Sequence, residues 1–275
     1  MKFSGWKMAF LAAAMMAPAL GSHAGPASNF STTIGLYNPA TSKYFERNTN
    51  SNGAPDNTFV YNVGVTGLTA LSGDWDGNGT STPGLYNPVT SKFFLRNTNS
   101  NGAPDTIFVY NVGVTGLIPV VGDWNGDGTD TIGLFNPVTS KFFLRNTNSN
   151  GAPDNIFVYS VGVAGLLPVI GDWTGSGTDT IGLFNSAVSK FFLRDSNSNG
   201  APNTIFVYNV GVADLRPLTG DWNADGTTTI ALFNPIPSKF FLRNTNSNGA
   251  PDNIFVFSTG IAPTGVGITG DWDGL

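Results

Sequence analysis

Polar and apolar residues fall in short alternating blocks along the chain. Apolar runs of four to eight residues, rich in Ile, Val, Phe and Tyr, are separated by clusters of Gly, Asn, Asp, Pro and Ser. No window shows the three-to-four-residue spacing of an amphipathic helix. Between positions 131 and 173 the runs are 131–136, 141–146, 155–161 and 167–173, each bounded by turn residues and each predicting a β-strand. The connections are Asn136-Pro137-Val138-Thr139-Ser140, then 147–154, then Gly162-Val163-Ala164-Gly165.

Several runs are apolar on both faces. Phe142, Phe143 and Leu144 are consecutive, as are Ile156, Phe157, Val158 and Tyr159. A sheet with one wet face would alternate, so these strands belong to sheets covered on both sides, as in a stack of propeller blades. The block structure also repeats. Gly-Asp-Trp recurs with its aspartate at Asp74, Asp123, Asp172, Asp221 and Asp271, spaced 49, 49, 49 and 50 residues apart, and Ser-Lys-aromatic-Phe recurs at Lys43, Lys92, Lys141, Lys190 and Lys239. Periods of this length mark propellers, solenoids or arrays.

The prediction is an all-β chain forming a five-bladed β-propeller of four-stranded blades, a single domain over 25–275. The first copy begins inside the period at Thr33-Ile34-Gly35-Leu36-Tyr37, and the last run precedes Gly270-Asp271-Trp272-Asp273-Gly274. That run supplies the strand the first copy lacks, so the two ends should pair in one composite blade and leave no open edge. Capping repeats, which a linear solenoid would carry, are absent from the sequence. Because strands alternate in direction, the Gly-Asp-Trp loops and the Asn-rich loops should share one rim. The Asn-Pro loops and the Gly-Val-x-Gly connections should share the other.

Composition agrees with many short strands. Among 275 residues there are 35 Gly, 17 Pro and 21 Phe, and only 11% of residues are charged; this is ample material for a core. Residues 1–24 differ from the rest, with Lys2 and Lys7 ahead of an apolar run from Met8 to Leu20 and a small-residue site at Ser22-His23-Ala24. They predict a secretory signal peptide rather than a membrane span or a buried helix, and hence a secreted protein, extracellular or periplasmic. Without that segment the net charge is about −7, which argues against nucleic acid and anionic membranes as partners; no later segment predicts membrane insertion. The chain has no cysteine, and its one histidine is His23. A mature chain lacking both has no Ser-His or Cys-His nucleophile and no ordinary zinc, copper or haem site.

The candidate chemistry lies in the Gly-Asp-Trp loops. Asp123-x-Asn125-x-Asp127-Gly128 places oxygens at the alternate positions used by calcium loops, with Asp130 close behind. Asp74, Asp76 and Asn78, and Asp221, Asn223 and Asp225, repeat the pattern. The competing reading is a set of Asx-turns, in which the same side chains cap their own backbone without an ion.

Gly122-Asp123-Trp124-Asn125-Gly126-Asp127-Gly128, followed by Thr131-Ile132-Gly133, resembles the FG-GAP/VCBS repeat family, represented by integrin α-chain propellers and some fungal lectins. The resemblance runs over all five periods. It implies a secreted or surface propeller, often calcium-stabilised, that serves adhesion or glycan binding. The chain departs from the family at the ninth loop position, where Thr82, Thr131, Thr180 and Thr229 replace a carboxylate, and at Asp172/Thr174/Ser176, which holds one acid. Its blades are also fewer and shorter than is usual there.

Two further patterns have bland and functional readings. The tryptophans Trp75, Trp124, Trp173, Trp222 and Trp272 suit inter-blade core or sugar-stacking platforms. Lys141 and Arg145 with their copies suit cover for apolar surface, paired with aspartates, or ligand contacts. The near-identical Asn-rich loops offer Asn148, Asn150 and Asp154, and Asn99, Asn101 and Asp105, as groups to orient sugar hydroxyls at equivalent weak sites acting by avidity. Repeat symmetry argues against an enzyme, since the unique acids Glu46, Asp195 and Asp214 lie far apart in the repeat. The sequence therefore predicts a secreted, non-catalytic binding module. Its ligand would be a glycan or a cell-surface protein on the Asp/Asn-rich rim, with calcium as the one expected cofactor. The alternative is a structural or protein-interaction propeller of the extracellular matrix with no small ligand.

Overall fold

A computed structural model describes residues 31–260 and 265–274; the expected signal peptide over 1–24 lies outside them. The described residues form five antiparallel four-stranded sheets and no helix, arranged as a five-bladed β-propeller. Blade three shows the plan. Its strands run from the axis outward as Ile118–Gly122, Thr131–Asn136, Lys141–Leu144 and Asn155–Val158. The inner strands adjoin one another in cyclic order, Thr69–Gly73, Ile118–Gly122, Leu167–Gly171, Arg216–Gly220 and Val266–Gly270, with the last beside the first.

The strands end a little earlier than the sequence predicts. The third strand stops at Leu144, where Arg145 turns its side chain into the following loop. The outer strand stops at Val158, beside the left-handed Ser140 (φ 52°) on its partner's side. The inner strand stops at Gly171, before Asp172 caps its own loop.

Closure is as expected. Val266–Gly270 pairs antiparallel with the first strand, Thr33 opposite Gly270 through Tyr37 opposite Val266. The composite blade is completed by Lys43–Glu46 and Asn57–Val60.

The two-sided apolar pattern is explained by packing between blades. In one core cluster Val120, Trp124, Phe142 and Tyr159 of blade three meet Ile170, Ile181, Leu183 and Phe192 of blade four. Within the blade, Phe135, Phe142 and Phe157 form a cross-strand ladder with centroids 4.6 and 5.4 Å apart. The five Gly-Asp-Trp tryptophans are only 7–8% exposed, so they are core and not platforms. The Trp272 indole N–H crosses the closure to donate to the Ile34 carbonyl at 3.2 Å.

Among the described residues each lysine ammonium lies over the ring two residues on, as Lys141 over Phe143 at 5.3 Å; this stem covers apolar surface as expected. The repeated arginines Arg47, Arg96, Arg145, Arg194 and Arg243 do something else: they bind loop carbonyls, described below. The loops sort between rims as predicted, and every aspartate of the chain except Asp214 lies on the Gly-Asp-Trp rim. No helix of the described residues is long and apolar enough to cross a membrane.

Candidate functional site: the Asp/Asn-rich rim

The Gly-Asp-Trp hairpin is organised by its first aspartate. Gly122 faces Thr131 in the ladder, so 123–130 must turn between the two strands. A loop this tight leaves backbone N–H groups without ladder partners, and Asp123 supplies acceptors. Its Oδ1 accepts from Gly126 N at 2.7 Å, Asp127 N at 3.1 Å and Asn125 N at 3.3 Å, while Oδ2 accepts from Gly128 N at 2.7 Å. Asp74 accepts likewise from Asn78 and Gly79, and Asp221 from Asp225 and Gly226. Burial pushes the Asp74 and Asp221 carboxyls above the usual range, and these N–H groups pull them back down.

The outer loop positions are exposed. Asn125 donates to Asp127 Oδ2 at 2.8 Å and Asp127 Oδ1 accepts from Thr129 N at 2.9 Å; Asn223 and Asp225 repeat the arrangement. Asp76 and Asn78 stand at the same exposed positions in blade two, Thr174 and Ser176 in blade four, and Asp273 in the composite blade. A calcium cage would turn six to eight oxygens onto one point. Here the first aspartate of each loop accepts from N–H donors, and the outer carboxylates and amides stand exposed beside it. The arrangement is that of an Asx-capped hairpin.

Asp130 belongs to a different device. Its Oδ2 accepts from Asp74 N at 2.8 Å, and its own N–H donates to the Asp74 carbonyl at 2.8 Å. Asp179 clasps Asp123 in the same way, and the hydroxyls of Thr228, Thr32 and Ser81 clasp Asp172, Asp221 and Asp271. Each blade thus grips the Gly-Asp-Trp loop of its neighbour, and the five grips close a ring. Burial, then the neighbouring Asp179, holds the Asp130 carboxyl well above the usual carboxylate range.

The residues expected to orient sugars are tied into the scaffold. Asn148 Nδ2 donates to the Asp130 carbonyl, and Asn99 Nδ2 to those of Ser81 and Trp272. Asn150 Oδ1 accepts from Val109 N of the preceding blade at 2.7 Å, and Asn101 from Val60 N at 2.7 Å. Asp154 and Asp105 accept from Asn146 N and Asn97 N within their own loops. Arg145 fixes the loop by donating to the Ser149, Asn150 and Ala152 carbonyls. A Cβ on Gly151 would collide with that guanidinium. The near-identity of the loops is explained by this second ring of inter-blade contacts. Its signal in the sequence was the invariance itself, which a duplicated ligand site would also produce. Asn150→Ala should cost about 1 kcal/mol in urea unfolding, because one N–H···O contact on a wet edge is lost.

Exposed on this rim are Asn101, Asp105 and Asn150 of the Asn-rich loops and the crown formed by Asp76, Asn78, Asn125, Asp127, Asn223 and Asp225 with their copies. It presents carboxylates, amides and hydroxyls round the ring of inner hairpins. No family model, curated protein or solved structure matches the chain.

Proposed function

We propose that the protein is a secreted, non-catalytic binding module. Its exposed crown of Asp, Asn, Thr and Ser side chains would recognise hydroxyl-rich glycans or a glycosylated cell-surface partner. The observation that carries this reading is the division of labour within each inner hairpin. The first aspartate is buried and caps the loop, while the third and fifth positions are held rigid and exposed on one rim. Carboxylate and amide oxygens in fixed positions suit the donors and acceptors of sugar hydroxyls, and copies around a ring suit repeated epitopes. The likeness of the hairpin to FG-GAP/VCBS repeats agrees with it.

The unique acids support a non-catalytic role. Glu46 is enclosed between blades with no exposure, Asp195 sits in an outer loop, and Asp214 is on the other rim. No two of them flank a common point, as glycoside hydrolysis requires.

A glycan array probed with the wild type and with Asp127→Ala/Asp225→Ala tests the proposal. Binding that falls at least tenfold in the double variant is expected, with a cooperative transition retained and a stability loss of no more than about 2 kcal/mol from the lost loop hydrogen bonds. No binding across the array, together with capture of a protein partner, would favour the scaffold reading. A chelator arm addresses calcium. Loops capped by their own N–H groups should keep both affinity and melting temperature in excess chelator, whereas a stabilising ion would make both fall.

A further inference from the structure

The repeat symmetry is broken most sharply on the opposite rim. A cleft of 690 Å³ opens there beside blade four. Its walls are the loop that follows the second strand, with Ser186, Ala187 and Ser189, and the connection to blade five, with Asn209, Val212 and Asp214; Leu167 and Leu215 form the apolar part.

Two lining residues are peculiar to this blade. Ser186 replaces the proline found at Pro39, Pro88, Pro137 and Pro235. Asp214 replaces the glycine of Gly67, Gly116 and Gly165. Those glycines hold left-handed backbone, with φ of 71°, 72° and 72°, and Asp214 holds it too at 57°. A side chain there is strained relative to glycine. Aspartate tolerates this conformation better than most side chains, and here it adds a carboxylate to the lining of the cleft.

The electrostatics are local to the cleft. Asp214 is the one aspartate on this rim and makes no ion pair among the described residues. Arg216, two residues on, is half-buried, does not line the cleft and has a partner of its own. Asn209 Oδ1 accepts from Gly211 N at 2.8 Å, which leaves its NH2 to donate. One carboxylate, two serine hydroxyls and an amide donor therefore surround an aliphatic floor.

We infer that this cleft binds a small polyol carrying a primary ammonium, of which an amino sugar is the simplest. The ammonium sits on Asp214, the hydroxyls on Ser186, Ser189 and Asn209, and the ring face on Leu167 and Leu215. The site is separate from the crown and stands or falls without it.

Calorimetric titration with glucosamine, glucose and N-acetylglucosamine is the test. On the wild type, glucosamine should bind about tenfold more tightly than either neutral sugar, and less tightly as salt is raised. Asp214→Gly restores the residue of the sister blades and relieves the strain, so it should melt no lower than the wild type while glucosamine falls to the level of glucose. Ser186→Pro should weaken all binding at the cleft, and Asp127→Ala/Asp225→Ala on the crown should leave glucosamine unchanged. Equal affinity for glucosamine and glucose on the wild type, no binding of glucosamine, or undiminished glucosamine binding by Asp214→Gly would each overturn the assignment.

Discussion

Leucine at position 46 is expected to stabilise the protein by about 3 kcal/mol at pH 7 and to remove the stability that this carboxyl loses as pH rises from 4.5 to about 8. Four blades carry leucine here, at Leu95, Leu144, Leu193 and Leu242, all at most 1% exposed, and only the composite blade carries Glu46. Its one donor is Asn57 Nδ2, at 3.0 Å from Oε2, and Oε1 has no partner among the described residues. Burial pushes the carboxyl up to about 8 from 4.5, against a small opposing pull from Asn57.

The folded protein therefore holds this proton more tightly than the unfolded chain does. At pH below 4.5 both states are protonated and the carboxyl costs nothing by ionisation. As pH rises from there towards 8 the folded state loses stability, and above 8 the deficit levels off. Urea unfolding of wild type, Glu46→Gln and Glu46→Leu at pH 5, 7 and 9 checks this. The gap between wild type and Glu46→Gln should open with pH, and leucine should add the packing gain of an apolar side chain. A gap that stays constant from pH 5 to 9 would show that Glu46 does not ionise against burial.

The architecture was legible because it is written in positions that packing fixes. Phe142-Phe143-Leu144 could not alternate with a wet face, and Trp124 at the end of the inner strand had no polar escape. The separated strand 266–270 had one vacant place to go. The roles of the rim residues were less legible. An asparagine in a Gly-rich loop looks the same whether it caps its own turn, binds a sugar or grips a neighbour, and only tertiary contact decides. Asn150 meets Val109 and Asp130 meets Asp74 across a blade boundary, and no local spacing encodes such pairs. Thr32, Ser81 and Thr228 share the task of Asp130 and Asp179, so the sequence hid one role behind three residue types. The lysine pattern was read correctly, whereas the arginines were expected on aspartates and instead bind loop carbonyls. The pair Arg47–Asp56, at 4.0 Å, is a remnant of that expectation.

These clasps change how the crown is understood. A loop held by Asp123 from within and by Asp179 from the next blade has little freedom to reorganise on binding. The cost of ordering it has been met in folding. On the proposed function, the crown should therefore bind with little change in backbone protection, and its affinity should follow the number of copies engaged rather than any one strong contact.

Removing residues 266–275 is expected to abolish cooperative folding, not merely to loosen one blade. Val266, Ile268 and Trp272 are buried on that segment. The Thr269 carbonyl accepts from Ser72 Oγ at 2.8 Å, and Asp271 is gripped by Ser81 in blade two. Losing the apolar burial alone costs on the order of 10 kcal/mol, which is the size of the whole stability of a typical domain. The backbone of Thr33–Asn38 would also become an open sheet edge, a template for pairing with other chains. The truncated chain should elute as oligomers or aggregate and show no sharp urea transition. Adding the peptide 265–275 in trans should recover monomer and a single transition, since the missing strand pairs by register and not by covalent continuity. A truncated chain that stays monomeric and melts within a few degrees of the wild type would mean that the ring is held by clasps and core at the other boundaries, with the composite blade dispensable.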